Sequence, residues 1–128
     1  MFNLPRENPN QISPRDTVLL MIRGFQISQC VYAAVRLGIL DLLGDGSKHY
    51  QELATETNTH ADSLYRLLRT LVSLGILQEN QPDYFQNTPL AAYLRDDQVG
   101  TLRNWLITEI EESYECWKDF VQSLTTGE

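Results

Sequence analysis

Hydrophobic residues fall in blocks along this chain, and the spacing within each block predicts its conformation. Between Val18 and Leu37 they are so frequent (Val18, Leu19, Leu20, Met21, Ile22, Phe25, Ile27, Val31, Tyr32, Ala33, Ala34, Val35, Leu37) that they occupy more than one face of a helix. Ser13-Pro14-Arg15-Asp16 supplies its start. Ser13 can cap, Pro14 suits the first helical position, and Asp16 favours the positive end of the dipole. Gly24 is a point where this helix can bend. Gly38 interrupts the pattern, Ile39–Leu43 resumes it as a short helix, and Gly44-Asp45-Gly46 ends it.

Residues 47–88 then read as helix, turn, helix and hairpin, which is the order of a winged helix. Tyr50–Thr57 is short, with Leu53 and Ala54 inward. Thr59-His60-Ala61-Asp62 fits the pattern of a helix cap followed by an acid. The next helix carries Leu64, Leu67, Leu68, Leu71 and Val72 at three- and four-residue spacing and stops at Gly75. Ile76–Glu79 and Tyr84–Asn87 read as strands around the turn cluster Asn80-Gln81-Pro82-Asp83. Thr88-Pro89 opens a short helix to Leu94. A long last helix is expected from near Val99, with Leu102, Trp105, Leu106, Ile110, Tyr114, Trp117, Phe120, Val121 and Leu124 along one stripe. The predicted fold is mainly α: a winged-helix-like helical domain with one small β-hairpin and long N- and C-terminal helices. It spans residues 14–128, behind a polar, flexible arm at residues 1–13.

A helix apolar nearly all round must be buried nearly all round, and a domain of this size cannot surround it unaided. The excess face predicts a protein partner, most simply a second copy. Val18, Leu19, Ile22, Phe25, Val31 and Tyr32 form the expected homodimer interface. The rival is a membrane-surface helix. Its polar face needs many basic residues, and only Arg23 and Arg36 are present. No run approaches the roughly 18 apolar residues of a membrane span. The N-terminus has no apolar signal segment, so a cytoplasmic location is expected.

Charge alters the reading of the winged helix. The net charge is −7. Residues 96–128 hold eight acids and two bases, against nine and eight in residues 1–95. Affinity for nucleic acid rests largely on Lys and Arg displacing counterions. The helix that would enter a groove, His60–Leu74, offers only Arg66 and Arg69, and the wing carries Glu79 and Asp83 with no base. Nucleic acid is therefore not the expected partner, although a dimeric winged-helix transcription regulator remains the alternative.

No self-sufficient catalytic site emerges. Cys30 and Cys116 sit in apolar helical patterns, far from any metal-like spacing, and read as buried free thiols in a reducing setting. Gly44-Asp45-Gly46 follows a helix, so it lacks the strand–turn–helix setting of a phosphate loop. His49 and His60 occupy turn or cap positions without a paired nucleophile. Glu109/Glu112 and Glu111/Glu115 have the spacing of paired carboxylates, but a solvated helix face has the same spacing. No metal site and no cofactor site are indicated in this chain.

Four segments together resemble one family: GFQISQCVYAAVRLGILDLLGDG (24–46), YQELATETNTHADSLYRLLRTLVSLGIL (50–77), YFQNTPLAAYL (84–94) and WKDFVQSLTTGE (117–128). They resemble the N-terminal dimerisation domain of small-molecule O-methyltransferases of the caffeic acid and hydroxyindole type, which use S-adenosylmethionine. The resemblance implies an interlocked homodimer in which this domain supplies a wall and lid of the substrate pocket. The methyl donor and the catalytic residues would lie in a separate doubly wound domain, and the chain stops close to where that domain begins. It is thus expected to be a truncated or excised piece without activity of its own. By resemblance, Ile22 and Arg23 on the first helix and Ile107 and Thr108 on the last are substrate-pocket candidates. Tyr114 and Trp117 read as core packing. The acceptor in the parent protein is expected to be a small, aromatic hydroxyl compound. A free-standing protein that pairs with a separate methyltransferase chain is a further possibility.

Overall fold

The computed structural model describes residues 12–127, so most of the predicted N-terminal arm lies outside the described residues. The chain folds as α1 (Pro14–Arg36), α2 (Ile39–Leu43), β1 (Ser47–His49), α3 (Tyr50–Thr57), α4 (Ala61–Ser73), β2 (Leu77–Gln81) and β3 (Tyr84–Asn87). A 3-10 turn (Pro89–Leu94) follows. The rest is a helical arm: α5 (Arg103–Thr108), a π-helical turn (Glu109–Ser113), α6 (Tyr114–Lys118) and α7 (Phe120–Thr126). The fold is mainly α, as the spacing of apolar residues predicts.

Local chemistry sets the helix ends. Ser13 Oγ accepts from the Asp16 amide at 3.2 Å, with Pro14 at the first helical position. Helix α1 runs through Gly24 without a break. Gly38 (φ 73°) starts α2 from a left-handed conformation that a side chain would resist. The cap of α4 is one residue later than predicted. Thr59 turns its hydroxyl to that of Thr57 at 2.9 Å, and His60 Nδ1 accepts from the Ser63 amide at 3.3 Å. His49 Nδ1 caps α3 in the same manner, on the Gln51 amide.

The core lies where α2, α3 and α4 meet the sheet. Ile39, Leu40, Leu43, Leu53, Leu64, Leu68, Leu71, Leu77 and Phe85 are buried there, with Ala34 of α1 and Ala91 of the 3-10 turn. The sheet has three antiparallel strands in the order β1-β3-β2, one more than the predicted hairpin. Strand β1 pairs Lys48 with Phe85 and is too short to show alternation in the sequence. Asn87 joins the sheet to the helices by donating from Nδ2 to the carbonyls of Leu40 and Gly44, each at 2.9 Å.

Gly75 closes α4 at φ 80°, and a Cβ there would meet Leu90 Cδ1 at 3.4 Å. Gly75→Ala is expected to lower unfolding free energy by about 1–2 kcal/mol, because alanine resists this conformation and the contact is tight. Denaturant melts of the two proteins check it; equal midpoints would show the turn relaxes freely.

The last helix differs most from expectation. It begins at Arg103 instead of near Val99, because Gly100 takes φ 79° and the Thr101 hydroxyl accepts from the Arg103 amide. It then breaks into pieces at the π turn and at Asp119. None of residues 99–127 is buried. Cys116 is accordingly exposed and Cys30 half-buried, where buried thiols are predicted. Trp117 is 63% exposed and Tyr114 also faces outward, so neither packs in the core. The stripe of apolar residues is present, but this chain alone places too little against it.

Candidate functional site

Among the described residues, α1 and the arm expose large apolar side chains that the core does not cover. The C-terminal half of α1 enters the domain: Ala34 and Val35 are buried, while Val31 and Tyr32 are half-buried. The N-terminal half projects. Val18, Leu20, Met21, Ile22 and Phe25 are all exposed, Ile22 to 61%, and Leu19 is half-buried. Of the predicted interface residues, Val18, Ile22 and Phe25 thus present open apolar surface. The arm also exposes Leu102, Trp105, Trp117, Phe120, Val121 and Leu124, of which Trp105 and Trp117 share a groove with Phe25. A patch of large side chains on this scale is uncommon on a soluble monomer.

By length and composition α1 is also long and apolar enough to cross a membrane, at a mean hydropathy of 1.4 over its best window. This corrects the expectation drawn from unbroken apolar runs: scattered polar residues do not lower the average enough. Arg23 and Gln26 nonetheless sit at its middle, where a charge in hydrocarbon costs about 3 kcal/mol or more.

Where α1 meets the arm there is an open groove of about 390 Å³. Phe25 and Ser28 line one wall; Trp105, Leu106, Ile110, Tyr114 and Trp117 line the other, with Glu109 as its charged group. Of the four substrate-pocket candidates, Ile22 lies about one turn from Phe25 and Arg23 two residues from it, both exposed; Ile107 is half-buried and Thr108 exposed next to Glu109. None of the four lines the groove itself. The groove residues come from the apolar stripe of the arm, which the sequence displays but which reads there as core.

At the junction, Glu111 on the π turn accepts a 2.6 Å hydrogen bond from the Tyr32 hydroxyl and pairs with Arg36 at 2.8 Å. The Tyr32 hydroxyl also accepts from Arg36 Nε at 3.3 Å. The Tyr32 hydroxyl and the Glu111 carboxylate hold the Arg36 guanidinium above its ordinary pKa, so it stays charged. Elsewhere, Arg95 is buried to 8% exposure and binds Asp45 and Asp97, fastening the turn after α2 to the segment that leads into the arm.

The winged-helix face is chemically different. An open cleft of about 410 Å³ is lined by Tyr50, His60, Asp62, Tyr65, Arg66 and Asp83. Burial pushes the Tyr65 phenol up, and the Asp83 and Glu79 carboxylates add to it. Arg69 is paired with Glu79. A phosphate backbone approaching here meets Asp62 and Asp83 and one arginine outside an ion pair, Arg66, whose guanidinium donates to the Ser63 hydroxyl at 3.5 Å. Among the described residues no group of three metal-ligating side chains is close enough to hold an ion. Nor does a glycine-rich loop join a strand to a helix among these residues.

Comparison with known proteins agrees with the apolar face. The O-methyltransferase dimerisation domain family matches residues 19–97, and the chain belongs to this family. It is 41% identical over 116 residues to the phenazine O-methyltransferase PhzM of Lysobacter antibioticus, covering 90% of this chain and 34% of that protein. It is 31% identical over 120 residues to phenazine-1-carboxylate N-methyltransferase of Pseudomonas aeruginosa, covering 94% and 36%. The solved structure of LaPhzM superposes with a TM-score of 0.85 at 39% identity, over 91% of this chain and 35% of that one. Human N-acetylserotonin methyltransferase, solved with SAM, shares the fold at a TM-score of 0.82 and 24% identity, over 94% and 37%. The chain thus spans about a third of the length of the methyltransferases it matches.

Proposed function

We propose that this chain is the dimerisation and substrate-lid domain of an S-adenosylmethionine-dependent O-methyltransferase, acting as a homodimer on a small aromatic hydroxyl compound. The observation that carries this is the exposed apolar face of α1, running into the equally exposed face of the arm. Burying it against a second copy removes that surface from water, which is the main driving force of stable association. A protein partner suits Arg23 and Gln26 better than a lipid interior does. Two free thiols, Cys30 and Cys116, suit a reducing cytoplasm.

The chain's part in the reaction is positional. Its groove is walled by aromatic and aliphatic side chains, which favour a flat apolar acceptor through burial instead of charge. Placing this wall over a catalytic site excludes water and narrows the orientations of the acceptor hydroxyl. S-adenosylmethionine would supply an electrophilic methyl group, held by residues other than those described.

Sedimentation equilibrium tests the assembly. The expected result is a dimer at micromolar concentration, with no salt-dependent binding to random duplex DNA. A monomer at all concentrations would overturn the proposal, and tight DNA binding at low salt would favour a regulator.

A further inference from the structure

Residues 99–127 contribute nothing to the buried core, yet the arm lies in a defined place along α1. At its root, the Leu102 amide and the Thr101 hydroxyl both donate to the Tyr93 carbonyl. Just before that root stands Gly100, at φ 79°, whose left-handed turn directs the chain into the arm. Further out, the contact with α1 comprises half-buried Leu106 and Ile110 and the polar cluster of Tyr32, Arg36 and Glu111.

Helical geometry explains why the π turn falls here. Tyr32 and Arg36 are one turn apart on α1 and present a hydroxyl and a guanidinium side by side. A π turn admits an extra residue into a helix and turns the side chains after it relative to those before. Residues 109–113 make that adjustment, and Glu111 within them reaches both partners. Glu109 and Ile110, from the same turn, line the groove.

We propose that Tyr32, Arg36 and Glu111 form a latch that fixes the arm on α1 and thereby sets the width of the aromatic groove. The latch makes these three positioning residues: they do not line the groove and act through Trp105, Ile110 and Trp117. An exposed ion pair adds little to global stability. It decides the placement of the arm because the competing state, an arm lifted from α1 beyond its root at Thr101 and Leu102, exposes no residue that is fully buried. The link to the groove rests on the lid reading above; the latch itself does not.

Both tryptophans of the chain, Trp105 and Trp117, lie in the arm, so their fluorescence reports on the arm alone. The test compares the full chain with Glu111→Gln and Tyr32→Phe. Hydrogen exchange should rise roughly three- to tenfold at residues 103–118 in Glu111→Gln and less in Tyr32→Phe, with α3 and α4 unchanged. Acrylamide quenching of the tryptophans should rise in the same order. Unchanged exchange and quenching in both variants would overturn the latch. If Glu111→Gln disturbs the core, the Tyr32→Phe result stands alone, since it removes one hydroxyl from a half-buried ring. Sedimentation of the same samples separates the two readings: a monomeric wild type whose arm still loosens in the variants sinks the dimer and keeps the latch.

Discussion

Ile22→Glu is expected to turn the dimer into monomers, weakening association at least a hundredfold, or about 3 kcal/mol. Ile22 is exposed in the single chain and touches no core residue, so the substitution should change intrinsic fold stability by no more than about 0.5 kcal/mol. In a symmetric pair it acts twice, placing two carboxylates into one apolar contact without a partner for either. A buried unpaired charge costs several kcal/mol, and the neighbouring Val18, Met21 and Phe25 offer nothing to neutralise it. Arg23 is adjacent in sequence but points about 100° away around the helix. Analytical ultracentrifugation over a range of concentrations gives the constant, and helical circular dichroism controls for folding. A variant that associates as tightly as the parent would move the interface off this face.

Phe85→Ala should have the largest effect on the fold itself, a loss of about 3–5 kcal/mol in unfolding free energy. Phe85 is fully buried on the central strand, opposite Lys48 of β1 and Glu79 of β2. Its ring meets Tyr65 of α4 edge to face, with centroids 6.1 Å apart. Removing it opens a cavity between the sheet and α4 that neither side can fill, since the strands are held in register on both edges. Against the 5–15 kcal/mol typical of a domain, this loss leaves little margin and should lower the melting temperature by roughly 10–20 °C. Tyr65→Phe, which keeps the ring contact, should cost far less. A loss below about 1 kcal/mol for Phe85→Ala would mean that the sheet repacks.

The elements that sequence reads well are those whose cause is local. Leu64, Leu68 and Leu71 lie on one helical stripe and are all buried; Ser13 caps α1; Gly75 ends α4. Strand β1 escapes because three residues cannot show a period, and its existence depends on β3, which lies 35 residues later. The π turn escapes because a stripe of apolar residues tolerates an inserted residue without losing its look. The apolar face of α1 is plain in the sequence, since no small domain can enclose it. The groove is not: Tyr114 and Trp117 have the composition of core residues, and only their placement on an unburied arm reveals them as surface. The latch is the least legible, because Tyr32 and Glu111 are 79 positions apart and nothing local marks them as partners.

The sheet carries a separate lesson. Strand β1 has only three residues, and β2 slips register between Glu79 and Gln81, so neither border offers a long straight rail of peptide groups to a passing chain. Open rails of that kind permit endless stacking into fibres. In the proposed dimer adhesion is confined to helices, where a twofold pairing would consume both sticky faces at once and halt growth at two.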